Sequence, residues 1–247
     1  MSSPPAQAGW PDPRIHALQV EELYLRAPAA AAFSYFGALI TLGVLIQIGD
    51  IARGSVWFVW ATIVTLLRAI CIVGYRRRAP DSDPEAWGKL VVAANLLAGI
   101  QWGILGTLLF PQGPAYVQLF TFMVIICLVA GSITAYSAYR GAHEALSVPA
   151  ALPTAVYIFF VQTGVHWYAG IMALFFCCTI VYFSTRLHRH MERGFRLQVE
   201  RDDLTSLTAV LNDKLGRENK ELAFQLAVKG QVLDRTRERA VPGTATP

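Results

Sequence analysis

Few side chains in the apolar part of this sequence can do chemistry. Arg68, in the stretch VTLLRAICIVGY, is the one ionisable residue well inside an apolar run. A guanidinium in hydrocarbon marks a ligand or coupling site by default. Arg68 also lies about two turns before Arg76, Arg77 and Arg78, close enough for its side chain to reach back toward the headgroups. Both readings stand at this level. No Asp or Glu lies deep in any other apolar run, so a proton or cation relay has no partner group. Gln101 and Trp102, in AGIQWGILG, place an amide beside an indole. That pair suits a hydrogen bond across a helix interface or, with Arg68, the wall of a small-molecule pocket.

The remaining candidates are weaker. His143 and Glu144 pair an imidazole with a carboxylate in YRGAHEALS, which reads as a solvated loop and is too small a set for acid–base catalysis on a lipid. His188 and His190 are two residues apart on one helical stretch, so they face different sides and do not chelate together. RLHRHMER also lacks the surroundings of a phosphoaccepting histidine. Cys71, Cys127, Cys177 and Cys178 all fall in apolar runs without a CxxC, as packed thiols do. Neither a metal nor a cofactor is expected. RDDLTSLTAVLN has the Asp-x-Leu-Thr-x-Leu spacing found at the lead-in to cyclase domains, but no GG[DE]EF signature, nucleotide loop, H-box or receiver pattern follows. The chain reads as non-enzymatic.

The elements that position these residues are membrane helices. Of 247 residues 54% are hydrophobic and only 15% charged, against roughly 25% charged in soluble domains. Six runs approach the ~20 residues a spanning helix needs: approximately 29–49, 55–75, 89–110, 116–135, 147–164 and 167–183. Threaded alternately, they leave Arg14, Arg26, Arg76 to Arg78, Lys89, Arg140, Arg186, Arg189, Arg193 and Arg196 on one side and only Arg53 on the other. Both termini are therefore expected in the cytoplasm. Trp57, Trp60 and Trp167 are expected at the outer interface, where amphipathic rings settle. The first 28 residues show no basic n-region followed by a cleavage site, so no removed leader is expected. The pI near 9.0 follows from the cytoplasmic loops and calls for no nucleic-acid partner.

Small residues and prolines mark where helices meet. Gly99 and Gly103 have GxxxG spacing, with Gly106 beyond, and Gly131 with Ser132 gives the fourth run a similar small patch. Pro149 and Pro153, four residues apart, form a candidate hinge in the fifth run, although Pro149 also suits a helix start.

From Arg186 onward the sequence is dense in both charges and free of proline until residue 242. Leu197, Leu204 and Leu211 recur every seven residues, with Leu207 at a d-like position; Leu215 and Leu222, then Leu226 and Leu233, recur by sevens with an offset of four. A four-residue offset is a stutter, which locally unwinds a left-handed coiled coil. Asn219 falls at an a position of the second frame, where it would fix register. Gly194, Gly216 and Gly230 make the coil marginal alone, at a cost of roughly 1 kcal/mol each. The other reading is a single amphipathic helix lying on the membrane. The expected organisation is an N-terminal segment 1–28, a six-helix membrane domain 29–183, a cytoplasmic signalling helix 184–238 and a tail 239–247.

This pattern resembles the six-span, MASE-like N-terminal sensory regions of bacterial membrane histidine kinases and GGDEF/EAL signalling proteins. The resemblance covers roughly residues 18–235. It rests on ELYLRAP (Leu23, Tyr24, Pro28), GIQWG (Gly99, Trp102, Gly103), the small residues of the fourth span, the proline-led fifth, and a sixth span flowing into a charged helix. It implies a homodimeric sensor in the bacterial inner membrane, in contact with lipid, that passes a conformational change to a histidine kinase or diguanylate cyclase partner. The sequence departs from that family in carrying no output domain. The alternative is a small transporter or channel, which predicts internal repeats and discontinuous helices; spans one to three and four to six show no convincing repeat.

Overall fold

The computed structural model describes residues 13–79, 82–111, 114–161 and 166–240, and among them every regular element is a helix. These are α1 (Pro13–Gln47), α2 (Ile51–Arg76), α3 (Pro84–Leu105), α4 (Ala115–Tyr136), α5 (Ala142–Val161) and α6 (His166–Ala240). The chain divides into two units, residues 1–196 and 197–247.

Local chemistry sets the boundaries. Gly49 ends α1 in the left-handed region (φ 83°), its N–H bonding Ile46 O at 3.1 Å while Asp50 N–H bonds Leu45 O at 3.0 Å. That pair of bonds is a Schellman cap. Asp83 starts α3 by accepting from Glu85 N–H at 2.9 Å, with Pro84 at the first helical position. Gly141, at φ 81°, turns the chain between α4 and α5.

Within the first unit α1, α2, α3 and α4 are long and apolar enough to cross a membrane, as is the described part of α6. The side chains they turn outward fit that solvent: Phe36, Val56, Ile70, Leu119 and Phe175 are exposed, a belt too apolar for water. Inside, α3 packs most extensively on α5; α1 touches α2, α3 and α4, and α4 touches α5.

The N-terminal boundary differs from the sequence reading. Residues 13–28, expected as a separate segment, begin α1, and Pro28 lies inside it. Ile15, Gln19, Val20, Leu23, Tyr24 and Ala27 are buried at three- and four-residue spacing, so this stretch is held by packing and escapes a search for uniformly apolar runs. Tyr24 stacks on Tyr75 of α2 (centroids 3.8 Å apart) and meets Trp87 of α3 edge-on at 6.0 Å. Trp57 is buried against α3, with its ring 5.2 Å from that of Trp102, and so does not face outward as an anchoring ring would. Trp60 is exposed. The side chains of Trp167 and Leu233, and residues 241–247 of the expected tail, lie outside the described residues.

The second unit is helical through Ala240, and its described leucines are all exposed.

Candidate functional site

The α3–α5 seam is built from glycine against proline. A Cβ on Gly103 would stand 2.1 Å from the carbonyl oxygen of Pro149, and one on Gly99 would stand 2.5 Å from Leu146 O and 3.0 Å from Ala145 O. Proline lacks an N–H, so Pro149 leaves Ala145 O, and Pro153 leaves Pro149 O, without the usual donor four residues on. Two carbonyls that α5 cannot satisfy itself therefore face the two α3 residues that can approach closely enough for Cα–H···O contact. Gly106 continues the row, with Thr154 where its Cβ would be. Gly131 differs: its nearest neighbour is Phe33 of α1, at an ordinary 3.7 Å from the position of a Cβ.

Arg68 is buried, 5% exposed, and reaches across to α4, where Nη2 donates to Tyr136 Oη. Its guanidinium carbon lies 5.7 Å from the Tyr136 ring centroid. Among the described residues no carboxylate pairs with it. Trp102 is fully buried and donates Nε1–H to Ser34 Oγ on α1 at 3.2 Å. Trp57 Nε1–H bonds the backbone carbonyl of Gln101 at 3.0 Å, and the Gln101 side chain is buried. Trp102 and Arg68 thus use different helices and different partners, Ser34 of α1 and Tyr136 of α4, as ties between helices.

A further set sits where α3, α4 and α5 end on the side of the arginine-rich loops. His143, expected in a solvated loop, is fully buried because the turn at Gly141 folds it under α4. Its Nδ1 lies 2.9 Å from Ser132 Oγ. Ser132 Oγ also lies 2.7 Å from Val129 O; with the hydroxyl proton on that bond, a neutral imidazole carries its own on Nδ1 and presents Nε2 as an acceptor. Nε2 has no partner, and neither does Oδ1 of the adjoining Asn95, whose Nδ2–H bonds Ala142 O at 2.9 Å.

Two bonds tie α6 to the same place. Ser184 Oγ–H donates to Glu144 at 2.8 Å, and His188 Nδ1–H donates to Ser137 O at 3.0 Å. Sequence reasoning missed Asn95, Ser132 as the partner of His143, Ser137 and Ser184. An amide or hydroxyl in an apolar run carries no periodic signal, and the turn that buries His143 is visible only as one glycine.

In the second unit, Leu197, Leu204, Leu211, Leu215, Leu222 and Leu226 lie on the helical surface, each more than half exposed. Among the described residues no three His, Cys, Asp or Glu side chains are grouped to hold a metal. Chemically these sites offer buried hydrogen bonds between helices and one unprotonated imidazole nitrogen. No family model, curated protein or solved structure matches this chain.

Proposed function

We propose that the chain is a membrane sensor and signal-transduction module of the MASE-like type, with six spans and both termini in the cytoplasm. It passes changes in the packing of its membrane helices through α6 to a paired cytoplasmic helix, and from there to a kinase or cyclase output. The observation that carries the reading is the character of α6. Its first part has Ala173, Ile180 and Ser184 buried and is bonded to the α4–α5 turn, whereas from Leu197 it exposes a heptad row of leucines. Such a row in water is covered by a second helix. The stutter between Leu211 and Leu215 supplies a point where register can change.

α5 is the sixth span in this account. Its apolar run carries Pro149 and Pro153 in the interior and begins after His143 and Glu144 in the first turn. Pro149, seated on Gly99 and Gly103, and Pro153 a turn later each remove a hydrogen bond inside α5, so this is the element whose movement would reach α6 through Glu144.

The test is a distance measurement between chains. Spin labels at residue 211 or 222 of the full chain in lipid bilayers should report a short inter-chain distance. Pro149→Ala, which restores an N–H and removes the ring from the seam, should shift it. A single unchanged distribution in both chains, or no inter-chain coupling at all, contradicts the proposal.

A further inference from the structure

α6 does not seal against its neighbours. Between it and the α4–α5 pair lies an apolar groove of about 450 Å³, walled by Val129, Val148, Leu152, Cys178 and Val181. Beyond its end, toward the arginine-rich side, lies a polar cavity of about 500 Å³ walled by Ser137, Arg140, Glu144, His188, Arg189 and Glu192. Thr185 lines both, so the two spaces are neighbours along α6. An apolar groove in the membrane beside a charged chamber at its edge has the polarity profile of a phospholipid.

The charges in the chamber are not evenly matched. Glu144 already accepts from Ser184, and Glu192 is paired with Arg196 at 2.7 Å. Arg140 and Arg189 have no carboxylate partner among the described residues. Two guanidiniums without a carboxylate, one from the α4–α5 turn and one from α6, suit a phosphodiester, whose oxygens accept charge-assisted hydrogen bonds. Each space also holds a buried hydroxyl without a partner: Ser137 in the chamber and Ser147 in the groove. Both are donors that no protein group uses.

The geometry points to a binding site for one membrane phospholipid, its phosphate between Arg140 and Arg189 and an acyl chain in the groove between α5 and α6. Its walls include Glu144 and His188, two of the residues that tie α6 to the α4–α5 turn, so an occupied site loads the element proposed above to carry the signal. The site rests on that reading for its purpose and not for its occupancy. Lipid retention and tail pairing are separate measurements, and either can fail alone.

The experiment is native mass spectrometry of the full chain in a mild detergent, titrated with phosphatidylglycerol, with diacylglycerol of the same chains, and with glycerol 3-phosphate. One phosphatidylglycerol per chain should be retained, with the other two at least about tenfold weaker, since each lacks half of the match. Arg140→Gln with Arg189→Gln, and separately Cys178→Trp to fill the groove, should each weaken phosphatidylglycerol by about tenfold or more. All three substituted residues are solvent- or lipid-facing, so the fold is retained, and an unchanged melting temperature checks this. Equal retention of diacylglycerol, equal binding of glycerol 3-phosphate, or retention unaffected by either variant would each overturn the site.

Discussion

At the scale of single residues, the glycines divide by what they touch. Gly103→Ala drives a methyl into the Pro149 carbonyl and should destabilise the chain by about 1–3 kcal/mol, the usual cost of overpacking. Gly131→Ala meets only ordinary contact, so its melting temperature in detergent should be unchanged or slightly higher. Tyr136→Phe removes the acceptor of the buried Arg68 guanidinium and should cost about 1.5–3 kcal/mol by the same melt. His143→Leu leaves Ser132 Oγ without its ring partner and should cost about 1–3 kcal/mol in the same melt. Arg68, Gly99 and Gly103 could be singled out from sequence because a charge in an apolar run and a GxxxG spacing are visible without a fold. His143 and Asn95 could not, since their importance comes from where a turn places them.

Among the elements, five helices long and apolar enough to span a membrane were legible in composition alone. What the apolar runs hid was the start of α1, because residues 13–28 form an amphipathic stretch held by the Tyr24, Tyr75 and Trp87 rings. The packing partner of the glycine row was hidden as well. GxxxG spacing announces a close neighbour but does not say which, and the neighbour is the Ala145–Pro149 stretch of α5. For α6 the prediction concerns its exposed leucines. Leu204→Glu with Leu211→Glu should abolish inter-chain crosslinking of the full protein while leaving its membrane insertion intact. Crosslinking that survives both charges would place the contact elsewhere.

For the molecule as a whole, the membrane body and the leucine-bearing helix have opposite surfaces. One turns many apolar residues outward, as a lipid-facing bundle does, and the other exposes leucines at heptad spacing among charged residues. The central claim is that α6 leaves the membrane as one strand of a parallel pair whose register shifts by four residues between Leu211 and Leu215. A cysteine scan of residues 197–226 in native membranes, on a chain first cleared of Cys71, Cys127, Cys177 and Cys178, tests it most directly. Disulfides between identical positions should peak at 197, 204 and 211, then at 215 and 222, with weak crosslinking at the intervening charged positions. Uniform weak crosslinking along the whole stretch, or a seven-residue period that runs on without the offset, would contradict it.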